Sequence, residues 1–151
     1  MRIGVLHGSN LNRLGRRNPA KYGTHTLVDV AASIDDTGAR LGFEARHVQS
    51  NHEGVLVDWV HTEMDDLDAV VVNPAGFTSV GYPLLDAIVD TALPFAVVHI
   101  SPWFAMDGRN RADIFAPLAT TYVTGAGWHG YRLACEALFH HVQDAAAVRP
   151  R

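Results

Sequence analysis

The sequence holds one cysteine, Cys135, so neither a disulfide framework nor a thiolate metal site can form within one chain. Cys135 lies in an apolar, helix-like segment and reads as a small buried side chain. Excess positive charge is also missing. The formal charge is −4 at pH 7, and the cluster Arg13, Arg16 and Arg17 suits a small anion better than a polyanion. Nucleic acid is therefore not expected as a partner, and nothing in the composition indicates a membrane protein. The chain opens directly on Arg-Ile-Gly-Val-Leu, without a charged region, a long apolar stretch and a small-residue cleavage site, which leads to the expectation of a cytoplasmic protein. Phosphate-binding fingerprints are absent: neither GxxxxGK[ST] nor GxGxxG occurs, and Gly8-Ser9-Asn10 is not the Ser/Thr-rich turn of a flavin site. His52-Glu53 has no second histidine at zincin spacing, and His140-His141 points to two helix faces, so no metal is expected. The sequence shows no internal repeat, low-complexity stretch or linker.

What is present is ordinary globular composition, 48% hydrophobic and 19% charged over 151 residues. That length suits a single domain, expected over residues 1–144, with a fraying tail at 145–151. Five short apolar runs read as strands: Ile3 to Leu6, Phe43 to Val48, Ala69 to Val72, Phe95 to Val98 and Thr121 to Thr124. Their length and valine content favour buried parallel strands. Helical spacing links them. Leu27, Val30, Ala31, Ile34 and Leu41 follow a capping box at Thr26 and Asp29 and stop at Gly42. A second helix runs from about Glu53 to Met64, burying Leu56, Trp59 and Val60 with Asp58 and Glu63 outward; a third starts near Tyr82, and a last runs from about Gly130 to Ala146. Alternating strands and helices predict an α/β fold, a flavodoxin-like, doubly wound five-stranded parallel sheet in the order 2-1-3-4-5. Ligands in such sheets bind beyond the carboxyl ends of the strands, where loops starting at His7, Asn73 and His99 would meet. Two long loops, His7 to His25 and Ser101 to Leu118, the latter polar around Asp107 to Asp113, read as lids.

The chemistry-bearing residues follow the strands. A phenol titrates near pH 10, too high for a general base at neutral pH, unless a cation stabilises the phenolate; Arg17 near Tyr22 would do that. The alternative is a surface loop with a packed tyrosine and solvated arginines. His99, ending the fourth strand, could act as an acid or be a structural histidine bonded to backbone. The backbone amides of Ile100 and Ser101, with the Ser101 hydroxyl, could hold a carboxylate. Asn10 and Asn73 could bind ligand or form Asx turns.

The segment Asn10 to Gly23 resembles the signature of type II 3-dehydroquinate dehydratases. Further matches are Gln49 to Gly54, Asp58-Trp59, Asn73 to Gly76, Val98 to Ser101 and Gly130-Tyr131, in order over nearly the whole chain. The resemblance implies a cofactor-free lyase of the shikimate or quinate pathways, dehydrating 3-dehydroquinate or a close cyclic β-hydroxy ketone carboxylate through an enolate. It implies Tyr22, activated by Arg17, as the base, Asn10 as the holder of an enolate-stabilising water, and His99 as the acid. Asn73, Ile100 and Ser101 would hold the substrate carboxylate. It also implies a homo-oligomer, a trimer or a dodecamer built from trimers, with Asp86 at the trimer contact.

Departures from the family pattern fall around the cleft. Ser79 replaces a substrate-contacting histidine, and Val97 stands where the family carries a glutamate that orients the acid. His99 is therefore expected to lack a carboxylate partner and to be a poorer proton reservoir. Pro102 replaces an asparagine, stiffening the loop. Two lid arginines fall on Met106 and Asn110, with Arg109 and Arg111 placed to substitute. Because Trp103, Phe104 and Met106 lie nearby, these changes predict a less hydroxylated or larger substrate. Two other readings stay open: a different enolate-based reaction (isomerisation, hydration or ring closure), and a non-catalytic binding protein on the same fold.

Overall fold

The computed structural model describes residues 1–105 and 110–148. The central strands are β1 (Arg2–Ser9), β3 (Ala69–Ala75) and β4 (Phe95–His99), flanked by β2 (Glu44–Gln49) and β5 (Thr121–Thr124). All pairings are parallel and the order is β2-β1-β3-β4-β5, as the alternation of strand and helix predicts. The helices are α1 (Pro19–Tyr22), α2 (Leu27–Leu41), α3 (Glu53–Glu63), α4 (Tyr82–Asp90) and α5 (Gly130–Val148).

Helices on both faces explain why the central strands are apolar without alternation. Val71 and Val98 turn toward α2 and α5, where Ile34 and Leu138 complete one core. Val70, Val72 and Val97 turn to the other face, against Leu56 and Val60 of α3, Leu84 and Ile88 of α4, and Phe115. The two outer strands differ from the buried strands expected of them. Each pairs on one side only, and both are largely half-buried, β2 exposing Glu44 as an edge strand does. Glu63 also departs from expectation: it turns back to an ion pair with Arg46 of β2.

Local signals at α2 are realised. The Thr26 hydroxyl accepts from the Asp29 amide at 3.2 Å while the Asp29 carboxylate accepts from the Thr26 amide at 2.7 Å. Such a box contributes about 1 kcal/mol. Gly42 closes the helix at φ 94°, its N–H donating to the Gly38 carbonyl.

The strand ends extend further than the apolar runs. β1 and β3 each run three residues beyond Leu6 and Val72, pairing His7 with Asn73 and Ser9 with Ala75. This close approach requires Gly8, where a Cβ would lie 2.2 Å from the Pro74 carbonyl oxygen. The long first loop contains the end of β1, a 3-10 turn at Leu11–Arg13 and the short helix α1. The last helix reaches Val148, two residues past the expected end.

Candidate active site

Extension of β1 and β3 delivers two asparagines to the rim of the sheet. Asn10 takes a left-handed conformation, φ 66°, and its N–H donates to the Asn51 side chain at 2.7 Å. Buried Leu11 and Leu14 anchor the turn that follows. Pro19 then starts α1, and Gly23, at φ 78°, ends it directly after Tyr22. One turn of helix is enough to stack cations on the phenol. The Arg17 guanidinium lies 4.9 Å from the Tyr22 ring centre and the Lys21 ammonium 5.3 Å. At the loop's far end, His25 stacks on Trp128 at 4.0 Å.

Asn73 is buried, and its side-chain oxygen accepts from the Ala75 amide at 3.2 Å, the bond of an Asx turn. Ala75 pays for this bend with φ 51°, a rare conformation for a residue with a Cβ. Behind Asn73 a polar chain runs from the buried Tyr131 and His7 out to the surface. Asn73 bonds the Tyr131 hydroxyl, which lies 3.2 Å from His7 Nδ1. His7 Nε2 lies 3.5 Å from His47 Nδ1, and His47 Nε2 lies 3.0 Å from the Asp35 carboxylate. A carboxylate accepts, so His47 donates from Nε2; with His47 neutral, its Nδ1 accepts from His7 Nε2 and the Tyr131 hydroxyl donates to His7 Nδ1. Burial, with the neighbouring His47 imidazole second, lowers the His7 pKa from 6.5 to about 3.

Past β4, the carbonyls of His99 and Ile100 accept from Gly125 and Gly127, and that of Ser101 accepts from the Thr124 hydroxyl. These bonds hold the Ile100-Ser101 turn against the end of β5. The Trp103 backbone N–H donates to the Thr124 hydroxyl at 2.8 Å, and the indole ring stacks on His99 at 4.9 Å and 22°. The Arg111 guanidinium lies 5.4 Å over that indole.

The result is one cleft of about 220 Å³. Asn10, Arg17, Tyr22 and His99 line it together, as do Asn73, Ile100, Ser101 and Arg111. Lys21 and Trp103, which pattern reasoning did not assign to ligand, line it too. Ser79 and Asp86 do not. Ser79 is half-buried with its hydroxyl unpartnered among the described residues, and Asp86 is exposed on α4. Arg109 and Met106 lie outside the described residues.

One expectation is overturned. His99 does not lack a carboxylate partner: its Nε2 lies 2.6 Å from Asp113 Oδ2. Asp113 belongs to the segment expected to be a polar loop, yet its side chain is only 2% exposed. The reason is the packing of Phe115 into the core beneath β4, which carries the preceding residues inward. Tyr122 of β5 donates its hydroxyl to the same oxygen at 3.0 Å. Burial first, and the Asp113 charge second, push the Tyr122 phenol upward, so it remains a donor. Cys135 is buried as expected, and burial raises its thiol to about 12.

Residues 1–139 match the family described as dehydroquinase class II. A 3-dehydroquinate dehydratase from Roseiflexus castenholzii is 41% identical over 138 residues, covering 91% of this chain and 88% of its own. One from Jannaschia is 39% identical over 97% of this chain and 99% of its own. Among solved structures, the type II dehydroquinase from Propionibacterium acnes superposes with a TM-score of 0.85 at 36% identity, covering 92% of this chain and 96% of its own. The chain belongs to the type II dehydroquinase family.

Proposed function

We propose that this cleft dehydrates 3-dehydroquinate, without a cofactor and through an enolate, in the shikimate pathway that leads to aromatic amino acids or in a quinate pathway. The observation that carries the proposal is the convergence of Tyr22, under two cations, with His99, Asn10 and Asn73 in one cleft. Tyr22 removes the proton alpha to the ketone. Arg17 and Lys21 stabilise the phenolate that begins the step. Asn10 holds the water that stabilises the enolate oxygen. Asn73 and the Ile100 and Ser101 amides hold the carboxylate, fixing which carbon faces Tyr22. His99 then protonates the departing hydroxyl, and the enolate collapses to the enone.

The relatives are named for 3-dehydroquinate, which favours that substrate over a less hydroxylated or larger one. Arg111, in the cleft wall beside Trp103, takes the place of a lid arginine for the ring hydroxyls, with Arg109 two positions before it in sequence. We place the enzyme in the cytoplasm as a homo-oligomer, a trimer or a dodecamer built from trimers, with exposed Asp86 at the trimer contact. The test is turnover of the purified protein with 3-dehydroquinate, followed by enone absorbance. Turnover lost in Tyr22→Phe supports the reading; a folded oligomer that leaves the substrate unchanged refutes it.

A further inference from the structure

Val97 and His99 lie on the same face of β4, two residues apart, and Val97 is sealed into the apolar core with Phe115. The glutamate that family members carry at Val97 has no counterpart on this strand. We propose that Asp113, arriving from the far end of the second long loop, is the positioning residue that fixes the orientation and proton placement of the acid His99.

The carboxylate meets four donors. Oδ1 accepts the backbone N–H of Phe115 at 3.0 Å and of Ala116 at 3.2 Å. Oδ2 faces the Tyr122 hydroxyl at 3.0 Å and His99 Nε2 at 2.6 Å. An acceptor-only group surrounded in this way obliges His99 to carry a proton on Nε2. Nδ1 has no hydrogen-bond partner among the described residues, and it is the nitrogen left for the cleft. Trp103 stacks on the ring and sets its plane, while Asp113 sets its rotation within that plane. Two contacts therefore define one geometry.

The chemical consequence rests on the dehydration proposed above. The proton leaves Nδ1 for the hydroxyl oxygen as the C–O bond breaks with its electron pair on oxygen, and water departs. The Nε2 proton stays on its nitrogen throughout. The positive charge on the ring before transfer is balanced across the ring by Asp113. A carboxylate does this equally well from a loop or from the strand, provided it reaches Nε2.

Asp113→Asn tests the assignment, because its carboxamide keeps an oxygen for the Phe115 and Ala116 amides. Those two bonds leave the carboxamide NH2 to face His99 Nε2. Long-range ¹H–¹⁵N NMR of histidine-labelled protein, with His99→Asn as the assignment control, should show the proton on Nε2 in the parent and moved to Nδ1 in Asp113→Asn. An Nε2 proton in both proteins overturns the proposal. With 3-dehydroquinate, kcat of Asp113→Asn should fall about a hundredfold, at the lower end of what a positioned acid supplies, with KM within about twofold. Adding Val97→Glu, which returns a carboxylate to the strand, should recover about tenfold. Unchanged kcat, a loss shared between kcat and KM, or no recovery in the folded double variant overturns the assignment. A parent inactive on 3-dehydroquinate refutes the proposed function instead, and the NMR result still decides the role of Asp113.

Discussion

Acid should destabilise this protein through His7 more than through any surface carboxylate. The imidazole is 1% exposed, with Tyr131 on one nitrogen and His47 on the other, and Asp35 lies behind His47. Folding lowers its pKa from 6.5 to about 3. The unfolded chain therefore binds the proton more readily, so the contribution is fully present above pH 6.5 and is lost as pH falls toward 3. At about 1.4 kcal/mol per pH unit, roughly 2 kcal/mol is gone at pH 5, and the whole effect approaches about 5 kcal/mol. Urea unfolding at fixed protein concentration, from pH 7 to pH 4, reads this directly, with His7→Gln as the comparison. Glutamine keeps a donor and an acceptor but cannot titrate. The Asp29 carboxylate, held low chiefly by the Thr26 backbone bond, adds its own loss in acid, equal in both proteins, and cancels in the difference. The parent should lose about 1 kcal/mol or more per unit relative to the variant between pH 6 and pH 4. Parallel curves would show that His7 is charged in the folded state, which would refute the directed chain of bonds from Asp35 to Asn73.

Tyr22→Phe should abolish turnover and leave the affinity for a cyclic carboxylate inhibitor unchanged by calorimetry; equal losses in both would assign Tyr22 to binding rather than to proton abstraction. Gly8→Ala drives a Cβ toward the Pro74 carbonyl and separates Asn10 from Asn73, so unfolding free energy should fall by about 2 kcal/mol or more in urea titrations, with turnover falling as well. Val97→Glu alone places a second buried carboxylate beside Asp113 and should lower stability by about 3 kcal/mol, measured by the same titrations; a neutral effect would mean that the core beneath β4 takes up water.

The architecture was legible where burial is two-sided. Val70 to Val72 and Phe95 to Val98 carry no alternation because helices cover both faces, and that pattern alone implies a parallel sheet. The capping box and Gly42 mark α2 because local bonds close within four residues. The cleft was legible as strand ends plus motif. Hidden from the sequence were features made by packing across distance. Asp113, beside Ala112 in a polar stretch, looks solvated, and only the burial of Phe115 two residues later turns it inward to a histidine 14 positions away. α1 is too short to display a helical period. His7 marked the start of a loop, yet its depth follows from Tyr131 and His47, 124 and 40 positions distant.

The two halves of the site differ in how firmly they belong to the folded body. His99 ends a strand buried along its whole length, and the carbonyls around it are bonded to the end of β5. Tyr22 ends a helix of four residues, none of them buried. Opening that turn exposes little apolar surface, so its amide protons should exchange with solvent by local opening, while those of β4 should wait for global unfolding. The proposed acid is thus a fixture of the native state, and the proposed base sits on a turn that the molecule can release and reseat with each substrate. Occupancy of the cleft should slow exchange at Tyr22 and leave β4 as it was.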